Sequence, residues 1–313
     1  MDILVGYTGF VGRNLNSRHR FTRVFNSKTI KDAYGLTPNL CVYSGVRAEK
    51  FRADNFPDED LAHIREAIEN IRQISPKKLV LISTVDVIPS AQKGNIYEDT
   101  IYDTEALTPY GQNRLFLENE VRRLYPHALI IRLPALFGHG LKKNFIYDMI
   151  NYIPAMLRIS KFEELYEKQN KLSQFYKQDS NDFFRLNLDI SSESKGKLKE
   201  MFKDLGFSAL NFTDSRSQFA FYNLDYLWEH IQILINEGIP LANIACEPVL
   251  ASELHQIIFN NDFVNEISNN PFDYRFFRTQ YVRLFGGRNG YIFTKERVIS
   301  EIKKYVESTA GRC

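Results

Sequence analysis

The stretch TPYGQNR, residues 108–114, places a tyrosine four residues before a strong cation. Residues four apart share one face of a helix, so the Tyr110 phenol and the Arg114 guanidinium can lie together. A free phenol has a pKa of about 10, and a nearby cation lowers that pKa toward neutrality. A tyrosine and a cation at this spacing are typical of redox chemistry. Ser83 and Thr84 end the apolar run LVLIST at the edge where ligands bind in parallel α/β sheets, although hydroxyls at a strand end are also common structural caps.

Five short runs rich in Val, Ile and Leu predict the strands that hold these residues: 2–6, 23–25, 39–45, 78–83 and 128–133. Runs of this kind are typical of strands that are buried on both faces and therefore parallel. The segments 58–74 and 110–125 carry apolar residues at helical spacing. Because strands and helices alternate, the sequence predicts an α/β fold with a Rossmann-type doubly wound parallel sheet.

The composition changes beyond residue 140, where charged helical segments replace the apolar runs. We therefore predict a Rossmann domain at 1–140 and a smaller, largely helical substrate-binding part at 141–313, whose chain can cross back to the sheet. The charged stretch 161–182 lacks Gly and Pro and predicts one long solvated helix, within a charged helical insertion near 161–207. Further helices are predicted at the following ranges: 193–207, 225–239, 252–259 and 295–308, the last capped by Thr294.

Three glycines with GxxGxxG spacing, Gly6, Gly9 and Gly12, follow the first predicted strand. Such a turn lets the backbone approach a pyrophosphate at a helix N-terminus, although any tight strand-to-helix turn can need glycine. The second strand is followed by Asn26-Ser27-Lys28, without a carboxylate for a ribose 2′-hydroxyl. Lys28 can accept a 2′-phosphate, or it can be a solvated loop charge. We predict an NAD(P) cofactor, with NADP slightly favoured over NAD.

These motifs together resemble the extended short-chain dehydrogenase/reductase family of nucleotide-sugar epimerases, dehydratases and reductases. VGYTGFVG resembles the TGxxGxxG pattern of that family, LISTVDV its Ser/Thr strand, and TPYGQNR its YxxxK helix. IIRLPALFGHGLKKNF resembles its sixth strand and the following loop. The short span between the second strand and NLCVYSG is most similar to the layout of dTDP-dehydrorhamnose reductases.

The resemblance implies that Tyr110 is the acid/base, that Thr84 binds the reacting oxygen, and that Arg114 contacts the ribose and lowers the tyrosine pKa. The implied cofactor contacts are Gly6, Gly9, Phe10, Val11, Gly12, Asn26, Ser27, Lys28, Ser44, Gly45 and Pro134. The implied substrate contacts are Asp86, Asn144, Gln218 and Arg275. Members of the family often pair through the helices expected at 58–74 and 110–125, and many contribute to polysaccharide biosynthesis. Leu115, Leu117 and Val121 offer surplus apolar surface for such a homodimer.

Three residues depart from the family pattern. Arg114 replaces the lysine of the motif, and an arginine fork is longer and bonds differently. Val85-Asp86 keeps only the second of the two carboxylates found in dehydratases, and Gln218 stands where an arginine contacts the substrate diphosphate. We therefore predict an NAD(P)-dependent oxidoreductase or epimerase acting on a nucleotide sugar. The alternative is a catalytically weakened Rossmann-fold binding or scaffold protein.

The composition excludes several other classes of function. Lys and Arg number 40 against 38 Asp and Glu, a net charge of +2 that argues against a nucleic-acid partner. The six histidines lack ligand spacing, so no metal is expected. No apolar run reaches the roughly 18 residues that span a bilayer. Three cysteines without a CxxC pair predict a reducing, cytoplasmic setting.

Overall fold

A computed structural model describes residues 1–89, 94–179, 183–187 and 189–310. Its strands are β1 Asp2–Val5, β2 Arg23–Phe25, β3 Leu40–Tyr43, β4 Leu79–Thr84, β5 Leu129–Leu133, β6 Ala135–Phe137, β7 Met156–Arg158, β8 Tyr176–Gln178, β9 Phe183–Leu186, β10 Gln218–Phe219, β11 Phe221–Asn223, β12 Leu241–Asn243 and β13 Val249–Leu250. Its α-helices are α1 Phe10–Arg18, α2 Lys50–Asn55, α3 Pro57–Ile74, α4 Pro109–Leu124, α5 Phe145–Ile150, α6 Ile159–Lys168, α7 Ser192–Asp204, α8 Leu227–Asn236, α9 Ala251–Phe259 and α10 Lys295–Ala310.

The central element is a six-stranded sheet in the order β12-β5-β4-β3-β1-β2, with every pair parallel. β2 and β3 lie on opposite sides of β1, so the strand order reverses between β1 and β3. In open α/β sheets, ligands bind outside the carboxyl ends of the strands at such a switch point. The five strands predicted from the apolar runs and the doubly wound fold class are confirmed.

The core against one face of this sheet explains why α3 and α4 form where they do. Ile64, Ile68 and Ile71 of α3 are buried beside the sheet, as are Leu117 and Val121 of α4. Apolar residues at helical spacing form a stripe along one face of each helix, and that face is the one that is buried. The two helices predicted at 58–74 and 110–125 are therefore confirmed.

The three residues of α4 that were expected to offer surplus apolar surface are packed within the chain. Leu117 and Val121 belong to the core cluster beside the sheet. Leu115 is half-buried against a second cluster that contains Val87 and Phe277. The interpretation of these leucines and this valine as dimer surface is therefore wrong, because α4 is packed on two sides within one chain. The homodimer itself stays a prediction.

The chain divides into two compact units. The sheet unit comprises Met1–Leu141, Gln218–Val249 and Phe272–Tyr305, and the small unit comprises Lys142–Ser217, Leu250–Pro271 and the chain from Val306 onward. The chain thus returns to the sheet after residue 217 and contributes β12 as its edge strand. The assignment of 1–140 to a cofactor and of 141–313 to a substrate stays a prediction.

The long solvated helix predicted at 161–182 is wrong. α6 ends at Lys168, and β8 and β9, which follow it, form a three-stranded antiparallel sheet with β7, which precedes it. The physical reason is burial of apolar side chains that the charge pattern obscured, because Leu172, Phe175 and Tyr176 are all in a core. The insertion near 161–207 is therefore mixed rather than helical, and its residues 180–182 and 188 lie outside the described part of the chain.

The other helices predicted after residue 190 are confirmed. α7, α8, α9 and α10 match the predictions at 193–207, 225–239, 252–259 and 295–308 within a few residues. The carbonyl of Thr294 accepts from the Val298 amide at 3.0 Å, and its hydroxyl accepts from the Arg297 amide at 3.5 Å. Thr294 therefore caps α10 as expected.

The aromatic core of the small unit yields a stability prediction. Phe202 of α7 is fully buried, and its ring centroid lies 6.2 Å from that of Tyr176 on β8. Phe202→Ala removes the ring and leaves a cavity, which we expect to lower the free energy of unfolding by about 3–5 kcal/mol. Urea denaturation measures the loss. Phe212→Ala is the matched control, because Phe212 is 45% exposed. Equal midpoints for the two variants would contradict the described packing.

Candidate active site

The glycine turn after β1 packs directly against the end of β3. Gly6 has φ +91°, and a Cβ at that position would lie 2.6 Å from the Ser44 carbonyl carbon and oxygen. A Cβ at Gly12 would overlap the Gly6 carbonyl oxygen. The Gly9 amide donates to that same oxygen at 2.9 Å. Only glycine fits at Gly6 and Gly12, so the sequence motif is explained by close backbone approach at the switch point.

The other predicted cofactor residues stand at the same edge of the sheet. Phe10 and Val11 begin α1, whose first turn contains no acidic residue, and Pro134 is buried between β5 and β6. Ser44 follows β3, and its hydroxyl donates to the Val5 carbonyl at 2.9 Å. The structure therefore gathers the predicted residues where the carboxyl ends of parallel strands meet. A role in cofactor binding stays a prediction for each of them.

The turn after β2 is held by its own side chains. The Asn26 carboxamide oxygen accepts from the Lys28 amide at 2.9 Å, and the Asn26 amide donates to the Thr29 hydroxyl at 3.1 Å. Ser27 and Lys28 are exposed. The Asn26 carboxamide nitrogen also lies 3.5 Å from the Tyr7 hydroxyl of the glycine turn. The Lys28 side chain is therefore in solvent, in the turn that follows β2.

Thr84 and Asp86 form a closed pair at the end of β4. The Thr84 hydroxyl donates to Asp86 Oδ2 at 3.0 Å and accepts from the Asp86 amide at 3.2 Å. The residues Val85–Val87 form a 3₁₀ turn that begins at this cap. The hydroxyl predicted to bind a substrate oxygen is therefore already engaged with a carboxylate.

The first turn of α4 is pressed against that 3₁₀ turn. Thr108 caps the helix through its hydroxyl, which accepts from the Gly111 amide at 3.3 Å, and Pro109 occupies the first helical position. A Cβ at Gly111 would overlap the Asp86 carbonyl oxygen. The glycine in TPYGQNR thus brings Tyr110 beside the Thr84–Asp86 pair, which its place in the motif did not reveal.

Tyr110 is a buried phenol whose proton is held firmly. It is 5% exposed, and burial raises its pKa above the ordinary value of 10. Arg114 lowers that pKa, whereas the carboxylates of Asp86 and Asp60 raise it. The Arg114 guanidinium carbon lies 4.4 Å from the centre of the Tyr110 ring. Because the net direction is upward, Tyr110 is a neutral phenol at neutral pH rather than a phenolate, and its role as a proton donor stays a prediction.

The Arg114 guanidinium is committed to an ion pair with α3. Its two terminal nitrogens donate to the Asp60 carboxylate at 2.9 and 3.0 Å, and one of them also donates to the Arg47 carbonyl at 2.7 Å. Arg114 is 4% exposed and Asp60 12%. This bidentate fork requires the planar arginine head, so a lysine would not reproduce it. A contact between Arg114 and a ribose stays a prediction.

Sequence reasoning missed the residues contributed by α2. Lys50 Nζ lies 2.5 Å from Asp86 Oδ1, and Asp54 Oδ1 accepts from the Tyr110 amide at 3.0 Å. The ammonium also lies 5.7 Å from the centre of the Phe272 ring. The available signal was the spacing of Lys50 and Asp54, which places both on one helix face. α2 is only six residues long, and its contacts depend on the fold rather than on its own periodicity.

A buried ion network fixes the back of α4 to the sheet. Glu118 is fully buried and accepts from the Ser83 hydroxyl at 2.6 Å and from the Arg132 guanidinium at 2.7 Å. Arg122 donates to the same carboxylate at 2.9 Å. Buried charges are tolerated where they are paired and fully hydrogen-bonded, as here. The network ties α4 to β4 and β5, the two strands at whose ends the site lies.

The residues predicted to contact the substrate have structural partners of their own. Asn144, in the small unit, has φ 113° and caps α5 by accepting from the Tyr147 amide at 3.2 Å. In the sheet unit, the Gln218 amide donates to the Phe272 carbonyl at 2.7 Å. Arg275 is exposed and paired with Asp273 at 2.7 Å. Gln218 and Asp273 form a bridge, so Gln218 and Arg275 lie on adjacent segments. Their roles toward a substrate stay predictions.

Metal binding and membrane crossing are two other classes of function to which the described residues are relevant. Within those residues, no cluster of three or more His, Cys, Asp or Glu side chains is arranged to hold a metal ion. Among the helices of the described chain, none combines the length and the apolar character that a bilayer crossing requires.

Solved structures similar to this chain include reductases and epimerases that are named for nucleotide sugars. A dTDP-4-dehydrorhamnose reductase from Clostridium acetobutylicum superposes with a TM-score of 0.62 at 14% identity, covering 99% of each chain. The Bacillus anthracis dTDP-4-dehydrorhamnose reductase in complex with NADP gives 0.61 at 14% identity, covering 98% of this chain and 97% of that one. UDP-N-acetylglucosamine 4-epimerase from Methanobrevibacter ruminantium gives 0.63 at 10% identity, covering 100% and 98%.

The chain has the fold of these reductases and epimerases. The likeness spans nearly the whole length of each protein, so the fold implied by the sequence motifs is confirmed. No protein-family model matches the chain, and no curated protein matches it either. With identities of 10–14%, these structures share the fold, and the roles of single residues must come from the geometry of the site.

The Arg114–Asp60 pair yields a second prediction. Asp60→Ala leaves a buried guanidinium without its carboxylate, which we expect to lower the free energy of unfolding by about 3–5 kcal/mol. Chemical denaturation measures it. The control is Glu69→Ala, which removes an exposed pair with Arg72 and should cost at most about 1 kcal/mol. Similar losses from both substitutions would show that Arg114 is not anchored by Asp60.

Proposed function

We propose that the protein is an NAD(P)-dependent reductase of a keto group on a nucleotide-linked sugar. The observation that carries the proposal is the buried Tyr110 phenol, which senses the charge of Asp86, the carboxylate that also holds the Thr84 hydroxyl at the end of β4. A neutral phenol suits the donation of a proton to a keto oxygen, which is the direction of reduction. The solved structures of this fold support the substrate class, because their names include dTDP-4-dehydrorhamnose and UDP-N-acetylglucosamine.

The residues at the switch point fit a dinucleotide. Gly6 and Gly12 leave room only for backbone, and α1 starts there without an acidic residue that would repel a pyrophosphate. Gly6, Gly9 and Gly12 would hold the pyrophosphate, and Asn26, Ser27 and Lys28 the adenosine ribose. The absence of a carboxylate in that turn and the exposed Lys28 head favour NADP. When bound, such a cofactor supplies the hydride.

The protein's own part in the reaction is orientation and proton transfer. Tyr110 would hold its proton at the phenolic oxygen until negative charge develops on the substrate oxygen, and would then donate it. Thr84 would bind the same oxygen once its hydroxyl turns away from Asp86. The Glu118 network and the Arg114–Asp60 pair would keep α4 in the position that this transfer needs. Asn144, Gln218 and Arg275 are the proposed contacts for the nucleotide-sugar part.

One observation favours a second candidate, a cofactor-binding scaffold protein without turnover. The Arg114 fork that replaces the family lysine is engaged with Asp60, so its charge is shared with a carboxylate. If native protein is inactive and Arg114→Lys gains turnover, the scaffold function is favoured. If native protein turns over and Tyr110→Phe does not, the enzyme function is favoured.

Epimerisation by reversible oxidation would use the same residues. Cytoplasmic location and a role in polysaccharide biosynthesis remain predictions from the resemblance.

Tyr110→Phe tests the proposed reaction. The variant keeps the buried ring but removes the proton donor, so we expect turnover to fall by about 10²–10⁴-fold while cofactor affinity is retained. The loss of reduced-nicotinamide absorbance with a panel of nucleotide-linked keto sugars measures turnover. Tyr166→Phe is the control, because Tyr166 is 41% exposed in the small unit. Full activity in Tyr110→Phe would exclude the phenol as proton donor.

Lys28→Ala tests the cofactor preference. Removing the cation proposed to face a 2′-phosphate should weaken NADPH binding by about tenfold and leave NADH binding unchanged, because NADH lacks that phosphate. Calorimetric titration of both cofactors measures the difference. Lys31→Ala, which removes a neighbouring exposed lysine, is the control. Equal weakening of NADH and NADPH would contradict the assignment, and binding of neither cofactor to native protein would reject the proposed function.

A further inference from the structure

The structure raises the question of which cation serves Tyr110, since the arginine in the family lysine position is already paired. Two nitrogens of Arg114 are bonded to Asp60, and one of those nitrogens also bonds to the Arg47 carbonyl. Asp60 raises the Tyr110 pKa and so offsets part of the lowering by Arg114, which is the leading charge acting on this phenol. Arg114 therefore positions α4, covers the Tyr110 ring and shares its charge with Asp60.

A second cation approaches the same site from α2. Lys50 Nζ contacts Asp86 Oδ1 at 2.5 Å, while Thr84 donates to the other oxygen of that carboxylate at 3.0 Å. One carboxylate thus joins an ammonium and a hydroxyl. α2 is also tied to Tyr110, because Asp54 accepts from the Tyr110 amide. The position of Lys50 relative to the phenol and the hydroxyl is consequently fixed by the fold.

Asp86 affects both groups that the proposed reaction uses. Its negative charge raises the pKa of Tyr110. Its Oδ2 also holds the single proton of the Thr84 hydroxyl, which cannot then be donated to a substrate oxygen. Hydrogen bonds to an ionised carboxylate are stronger than neutral ones, so an uncompensated Asp86 would retain that proton. Neutralising Asp86 weakens both effects at once.

We infer that Lys50, acting through Asp86, is a positioning residue that releases the Thr84 and Tyr110 protons for donation to the substrate oxygen. The inference deepens the proposed reductase function and rests on it. Lys50 supplements, from a different helix and through a carboxylate, the electrostatic effect of Arg114 on Tyr110. It is not required to touch substrate or cofactor.

The charges that face Tyr110 determine the sign of the expected effect. On α2, Asp54 accepts from the Tyr110 amide and Lys50 contacts Asp86; Asp60 of α3, Asp86 of the 3₁₀ turn and Arg114 of α4 act on the phenol itself. The partly buried Tyr274, whose own pKa is raised by burial and by Asp86, adds a neutral phenol. Three carboxylates therefore stand against two cations. Removing Lys50 leaves the excess negative charge larger, so the pKa of Tyr110 must rise.

The test measures the Tyr110 proton directly and does not need turnover. Every tyrosine is replaced biosynthetically by a fluorinated tyrosine, which titrates at lower pH, and the ¹⁹F resonance that disappears in Tyr110→Phe is assigned to Tyr110. In Lys50→Met we expect the titration midpoint of that resonance to move up by about 0.5–1 pH unit, a modest value because Lys50 is 39% exposed. Lys50→Arg, which keeps the charge, should restore the midpoint.

A double substitution separates the proposed path through Asp86 from a general effect on the fold. In Lys50→Met combined with Asp86→Asn, both charges are gone, so the midpoint should return toward that of native protein. Arg52→Met is a matched control on the same helix, since Arg52 pairs with the exposed Glu59. An unshifted midpoint in Lys50→Met, or a shift that Asp86→Asn does not reverse, overturns the inference.

The same variants distinguish failure of the inference from failure of the proposed function. If native protein reduces a nucleotide-linked keto sugar, Lys50→Met should lower kcat about tenfold with KM for the cofactor unchanged, and Lys50→Arg should recover it. In Lys50→Met, the alkaline limb of the pH–activity profile should also move to higher pH, because a general acid loses activity only as the pH rises through its pKa. A shifted ¹⁹F midpoint in a protein without any turnover supports the electrostatic role and rejects the reductase.

Discussion

The close packing of α4 on the 3₁₀ turn after β4 is the constraint on which the rest of the site depends. Gly111 has no Cβ, which lets the first turn of α4 contact the Asp86 carbonyl, and every other anchor of the helix preserves that contact. Glu118 binds α4 to β4 and β5 through Ser83 and Arg132, and Arg114 binds it to α3. The helix is therefore anchored at its first turn, through Arg114 and through Glu118, and these anchors fix the position of Tyr110.

Paired charge is the second theme of the site. Buried ions are stable only where they are paired, and the buried Arg114 beside Tyr110 is paired with Asp60. The replacement of a lysine by Arg114 belongs to this pattern, because a bidentate fork can anchor two helices where an ammonium cannot. Because the Arg114 charge is shared with Asp60, we infer a second electrostatic contribution to the site from Lys50, which contacts Asp86.

Much of the fold could be predicted because burial on two faces imposes an apolar composition on parallel strands. β1 to β5 were recognisable for that reason, as were α3 and α4 with their apolar stripes. The segment 161–182 was mispredicted because its charges suggested solvent, whereas the rings of Phe162 and Phe184 stack with centroids 3.7 Å apart. Tertiary packing therefore overrides helical propensity in this segment, and the sequence pattern does not indicate that packing.

Some residues of the site could be predicted from local sequence spacing, whereas others are brought to it only by the tertiary fold. Tyr110, Thr84 and the glycine turn follow from local spacing, and the structure places them at the ends of β4 and β1. Asp60 and Lys50 belong to helices that reach α4 only through the fold, so no spacing in the sequence connects them with Tyr110. From the sequence, the acidic residues in the first turn of α3 were interpreted only as favourable interactions with the helix dipole.

Hydride transfer is the central claim, and isotope labelling tests it most directly. The protein is incubated with NADPH carrying deuterium at the transferable position and with a nucleotide-linked keto sugar, and the product is examined by mass spectrometry. The reductase function predicts one deuterium on the former carbonyl carbon and an equal amount of oxidised cofactor. Bound cofactor without any label in the sugar would contradict it and leave the scaffold function.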